Sequence, residues 1–212
     1  MVSKNFWNES IDKQKNLIEN INNLDELFAL WKEAQENEDE DSCRKTFPQS
    51  NGESPEHETF KMSFCPDGFI SSEEQFNGVL IICRESNVSG NQKMGEFKDT
   101  FALKNVASNN NRYTTFIKNA LCNISAKDNS EVCNCAYINI NKRGGYSKCN
   151  MSQLGNYAEK YELFIRREIE LIKPRTIVCG GTYDTVKDLI PKGDITILDC
   201  WHPCRGFHLK EH

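Results

Sequence analysis

The sequence predicts a three-layer α/β/α domain on a four-stranded parallel sheet, preceded by N-terminal helices. Three observations lead there. Short apolar runs alternate with segments of helical periodicity, in the order strand, helix, strand, helix, strand, helix, strand. The first run, Gly78-Val79-Leu80-Ile81-Ile82-Cys83, is continuously apolar, as suits a strand buried on both faces of a parallel sheet. Polar or glycine-rich residues follow every run, and parallel sheets bind ligands beyond the carboxyl ends of their strands. The alternation implies right-handed crossovers with helices on both faces.

The elements follow in order. Trp7, Ile11, Leu17, Ile18 and Ile21 recur at helical spacing. Asn23 with Glu26 resembles a capping box, and Leu24, Leu27, Phe28 and Trp31 form the next apolar stripe. Two helices are therefore expected, packing on a core. Glu36 to Asp41 reads as a solvated acidic segment, and 42–66, with Pro48, Gly52, Pro55 and Pro66, as a long loop or linker. After the first strand, a helix is expected over Arg112 to Ile124. Cys135-Ala136-Tyr137-Ile138-Asn139-Ile140 is the second strand, broken by Gly144-Gly145. One long helix, about Ser152 to Ile172, ends before Pro174. Thr176-Ile177-Val178-Cys179 is the third strand, Gly180-Gly181 leads into a short helix to Ile190, and Asp194 to Leu198 is the fourth strand, running into Asp199-Cys200-Trp201-His202-Pro203.

The charge is divided unevenly. Residues 1–62 carry 7 Lys and Arg against 14 Asp and Glu, whereas 63–212 carry 19 against 17. The chain thus divides into a helical N-terminal extension with an acidic, Pro-containing linker (1–62) and a mildly basic domain (63–212). That domain admits a phosphate-bearing partner without requiring one. The longest apolar run, Val79 to Cys83, is far too short to span a bilayer, and no apolar leader follows Met1. No membrane association is expected. The expected location is cytoplasmic, or nuclear in a eukaryote.

Four strand ends bring together Arg84-Glu85-Ser86-Asn87, Asn139 to Gly145, Gly180-Gly181 and His202-Pro203. This pattern resembles the uracil-DNA glycosylase superfamily, chiefly its bacterial and archaeal branches. Val79-Leu80-Ile81-Ile82-Cys83-Arg84-Glu85-Ser86-Asn87 stands at the family's first motif, which positions the attacking water. Ile197-Leu198-Asp199-Cys200-Trp201-His202-Pro203-Cys204 stands at its last, which begins His-Pro. Tyr137-Ile138-Asn139-Ile140-Asn141-Lys142-Arg143 resembles the middle strand, whose Asn reads the base edge, and Glu168 to Gly181 resembles the helix-to-strand passage after it. The likeness covers about residues 64 to 206. It departs from the family at Asn87-Val88-Ser89-Gly90, where a Pro and Gly usually follow closely, and at Cys204, where a serine is common.

The resemblance implies hydrolysis of the N-glycosidic bond of uracil or another deaminated base in DNA. It assigns Glu85, with Asn87, to water positioning beside a cation-like sugar, and His202 to the leaving base. Asn139 would pair with the base edge, since a carboxamide both donates and accepts. Lys142, Arg143, Arg205 and the Gly144-Gly145 amides would hold phosphates. Each assignment has a structural rival: an ion pair of Glu85 with Arg84 or Lys142, a turn role for His202 before Pro203, backbone capping by Asn139, and ordinary solvated charge for Lys142 and Arg143.

Some glycosylases of this type carry a four-iron cluster on four cysteines. Here the ten cysteines include no Cys-x-x-Cys, and Cys133-x-Cys135 and Cys200-x3-Cys204 match no zinc motif. No metal or cofactor is expected. DNA is the expected partner, with a protein partner for the acidic N-terminal region, and a monomer is the expected state. Two other readings stand beside the enzyme: a non-catalytic nucleic-acid- or protein-binding module on the same fold, and a hydrolase acting on another small substrate.

Overall fold

The computed structural model describes residues 6–46, 64–70, 72–87, 115–116, 119–120, 134–145 and 148–203. The protein is α/β. Its strands are β1 (Gly68–Phe69), β2 (Val79–Asn87), β3 (Ala136–Gly145), β4 (Thr176–Gly180) and β5 (Thr196–Cys200). Its helices are α1 (Ile11–Glu19), α2 (Leu24–Glu36), α3 (Glu40–Thr46), α4 (Met151–Lys160), α5 (Glu162–Ile172) and α6 (Tyr183–Val186).

Among the described residues the sheet has five strands in the order β1-β3-β2-β4-β5. β3, β2, β4 and β5 run parallel, with Ile81 opposite Tyr137, Ile82 opposite Cys179 and Val178 opposite Leu198. β1 pairs antiparallel with β3. The expected purely parallel, four-stranded sheet is thus corrected to a mixed one. The edge strand has two residues, too few for alternation to mark it in the sequence.

Side chains alternate across the sheet and build two cores. On one face Leu80, Ile82, Ala136, Ile138, Ile140, Ile177 and Cys179 pack with Ile18 of α1, the apolar stripe of α2, and residues of α4 and α5. Trp31 is wholly buried there and stacks near-parallel to Phe164 at 5.3 Å and Tyr161 at 6.0 Å. On the other face Val79, Ile81, Cys83, Tyr137 and Val178 pack with Phe116 and Ala120, two helical residues between β2 and β3.

Several element ends have local causes. Asn23 caps α2 by accepting the Glu26 N–H at 2.9 Å, as its spacing predicts. Asn150 caps α4 through the Ser152 and Gln153 N–H groups. The expected single helix over 152–172 divides at Tyr161, whose backbone (φ −100°, ψ 22°) leaves the helical basin. α5 ends at Lys173 in the left-handed conformation (φ 53°), directly before Pro174. β3 continues through Gly144 and Gly145 instead of breaking there. Residues 42–46, expected within a long loop, instead complete α3, and 47–63 lie outside the described residues. Among the described residues, no helix is long and apolar enough to cross a membrane.

The connections fix where the parallel strands can form a cleft. The chain leaving β2 places Phe116 and Ala120 on one face of the sheet. The chain leaving β4 places Val186, Leu189 and Ile190 on the other. β2 and β4 are neighbours, so their carboxyl ends diverge and leave a crevice at a topological switch point.

Candidate functional site

The end of β2 supplies Arg84 and Glu85, and the turn after β4 supplies Gly180, Gly181 and Thr182. Arg84 Nε donates to the Gly181 carbonyl at 3.3 Å across the crevice. The Thr182 hydroxyl donates to the Ile82 carbonyl at 2.9 Å, tying the same turn to β2. The Gly181 N–H is shared between the Cys179 and Cys200 carbonyls. Gly181 has φ +70°, which glycine adopts without steric cost. A Cβ there would lie 2.9 Å from Arg84 Nη2 and 3.1–3.2 Å from the backbone nitrogen and Cβ of His202.

His202 therefore sits over the turn that Arg84 holds. Its ring is half-buried, and burial first, then the nearby Arg84 charge, push its pKa down to about 4. The imidazole is neutral at neutral pH, with one nitrogen a donor and the other an acceptor. The preceding Trp201 is 43% exposed at the rim.

On the opposite side of Arg84, Glu85 Oε2 accepts from Asn141 Nδ2 at 3.1 Å. Cys149 lies against this carboxylate: burial, reinforced by the Glu85 charge, pushes its thiol up to about 12. Burial likewise raises Cys83 and Cys179 to about 12. Un-ionised thiols are poor nucleophiles and poor metal ligands. Among the described residues, no group of three or more His, Cys, Asp or Glu side chains is placed to hold a metal ion.

Asn139 lies deeper, beside Cys83 in the sheet register, and is 2% exposed. Its N–H donates to Asp67 Oδ2 at 2.7 Å, and its Oδ1 accepts from the Tyr137 hydroxyl at 3.4 Å.

Lys142 and Arg143 go elsewhere. Both are wholly buried. Lys142 Nζ is 2.5 Å from Asp67 Oδ1 and 2.8 Å from Glu168 Oε1. Arg143 pairs with Glu38 and also donates to the Thr46 and Tyr161 hydroxyls. The expected phosphate contacts of these two cations are therefore corrected: each is spent on a carboxylate in the interior, away from any phosphate. The expected solvation of Glu36 to Asp41 is corrected at Glu38 alone, which is buried against Arg143, whereas Asn37, Asp39, Glu40 and Asp41 are exposed. Asn87 and Gly144 contribute backbone to β2 and β3. Arg205 and Cys204 lie outside the described residues, as does most of the helix expected over 112–124.

The structure thus gathers Glu85 and His202 on one sheet edge, on either side of Arg84, and sets Asn139 below it. Arg84, Asn141 and Gly181 fall within the strand ends that the sequence brings together but carry no expected role there, and Cys149 lies outside them. Asn141 had a usable signal, since it follows Asn139 by two residues and so shares its face of the strand. No family model, no curated protein and no solved structure matches this chain.

Proposed function

We propose that the protein hydrolyses the N-glycosidic bond of uracil or another deaminated base in DNA. The observation that carries this reading is the placement of an Asn141-anchored Glu85 carboxylate at the carboxyl end of β2 and a neutral, half-buried His202 just after β5. In the reaction, the bond between the sugar C1′ and the base nitrogen breaks and its electron pair leaves with the base. Glu85 stabilises the positive charge on the sugar and takes a proton from water as the water oxygen bonds to C1′. His202 donates a hydrogen bond to the departing base oxygen, and the proton on Glu85 is finally returned to the base. Asn139 supports base-edge recognition through its carboxamide.

The test is release of uracil from single-stranded DNA, with His202→Ala and Glu85→Gln each slowing it at least about tenfold, a typical loss for one transition-state contact. No release from uracil-, hypoxanthine- or xanthine-containing strands removes the reading. The burial of Lys142 and Arg143 favours a second one, hydrolysis of a smaller substrate, because two cations assigned to the DNA backbone are unavailable. Release of base from a free nucleoside but not from DNA selects it.

A further inference from the structure

We propose that Arg84 is the anion-binding residue of the crevice, holding an anionic oxygen of the substrate between its guanidinium, the Gly180-Gly181 turn and His202. The proposal deepens the reading above, because it assigns the substrate contact of the same crevice, but it does not depend on glycosidic chemistry.

Three observations carry it. The first is the contrast among cations inside the protein. Lys142 meets two carboxylates and Arg143 meets one. Arg84 is half-buried too, yet among the described residues no carboxylate lies within the 4.0 Å of an ion pair, and its one hydrogen bond is to the Gly181 carbonyl. A cation drawn partly out of water ordinarily gains a counter-charge. Glu85, the obvious partner by sequence, projects from the opposite face of β2 and engages Asn141 instead.

The second is orientation. The Nε bond to Gly181 fixes the guanidinium at the carboxyl ends of β2 and β4, where parallel sheets take their ligands. A guanidinium has five N–H donors in a rigid fork, so most remain for a ligand. The third is convergence. The Gly181 turn packs so closely on both residues that an added Cβ would lie 2.9 Å from Arg84 Nη2 and 3.1–3.2 Å from the backbone nitrogen and Cβ of His202. Arg84 and His202 are thereby held beside one another, so an oxygen bound by the guanidinium would also lie near an uncharged imidazole.

An oxygen of this kind has two sources in the proposed substrate, a backbone phosphate and the departing base. The full chain is titrated with inorganic phosphate and, separately, with barbiturate, a pyrimidine that is anionic at neutral pH. The Arg84 Nε–H resonance is followed by NMR, and affinities of wild type, Arg84→Lys and Arg84→Gln are measured by calorimetry. The expected result is a shift of that resonance by one probe and at least about tenfold weaker binding of it in Arg84→Gln, with Arg84→Lys between, as for loss of a charge-assisted contact. A response to phosphate assigns the backbone; a response to barbiturate alone assigns the base. No shift with either probe, or equal affinity in all three proteins, overturns the proposal. The wild-type resonance needs no variant, so a misfolded Arg84→Gln leaves the test intact. Uracil release is measured in parallel. Anion binding without release keeps this proposal and removes the glycosidic reading, whereas release without a response at Arg84 removes this proposal alone.

Discussion

Arg143, near the end of β3, and Glu38, between α2 and α3, form an ion pair in which neither side chain reaches solvent. The Tyr161 hydroxyl donates to the same carboxylate at 2.8 Å, and Lys160 Nζ lies 3.2 Å from its other oxygen. This cluster fastens the acidic N-terminal segment to the sheet. Removing one partner strands a buried charge, which is far costlier than losing a surface pair. Glu38→Ala should lower unfolding stability by about 3–5 kcal/mol in urea titration, the usual cost of breaking a buried pair. A loss below about 1 kcal/mol, as for an exposed pair, would contradict the burial described here. Burial alone would raise the Glu38 carboxyl, but Arg143 and Lys160 hold it below its ordinary value. Its contribution is therefore complete above the ordinary carboxylate range and is lost as pH falls through the depressed value.

The Lys142 cluster has the opposite pH signature. Burial pushes Glu168 well above the ordinary carboxylate range despite the Lys142 charge. The folded protein then keeps a proton that the unfolded chain has released. Stability from this group is complete below the ordinary carboxylate range and declines as pH rises toward the raised value. Glu168→Gln should flatten that decline in melting curves taken across the window. An unchanged slope would assign the decline to another group.

These two clusters mark where sequence reasoning stops. The continuous apolar run Val79 to Cys83 identifies β2 because burial on both faces leaves a compositional trace. The Asn23 cap is equally legible, since donor and acceptor lie three residues apart. Glu38 gives no such trace: a Glu within an acidic run reads as solvated, and partners more than 100 residues away, Arg143, Lys160 and Tyr161, draw it inside. Arg84 is the converse case. Its neighbour Glu85 looks like its partner in one dimension, but strand alternation sends the two side chains to opposite faces. The break at Tyr161 is hidden for a similar reason, because its ring fits the helical apolar stripe while its backbone turns. Burial and charge pairing are tertiary properties, and the candidate site depends on both.

His202 should titrate near 4, well below a free imidazole. Burial is the larger cause and the Arg84 charge the second. Arg84→Gln removes only the second, so the His202 value should rise part of the way toward its ordinary position. NMR titration of the imidazole reads this directly, and an unmoved value would separate the two residues electrostatically. As pH falls from the ordinary histidine range toward about 4, the unfolded chain takes a proton that the folded protein refuses, so stability falls.

The close approach at the crevice predicts a contrast between two glycines. At Gly193 an added Cβ meets nothing within 4 Å, so Gly193→Ala should be neutral or stabilise by up to about 1 kcal/mol, through the lower entropy of the unfolded chain. Gly181→Ala faces two penalties. Its backbone lies at φ +70°, where a side chain costs about 1–2 kcal/mol, and its methyl would press on Arg84 Nη2 at 2.9 Å. The guanidinium can swing away, but the His202 backbone nitrogen at 3.1 Å belongs to a chain segment whose next residue, Pro203, is buried against Gly180. Relief of the clash must therefore displace Arg84, His202 or both. Gly181→Ala should lower the melting temperature relative to wild type and, even where it remains folded, move the His202 imidazole resonances and weaken anion binding. If Gly181→Ala matches Gly193→Ala in melting temperature and leaves the His202 resonances in place, the turn does not hold Arg84 and His202 together.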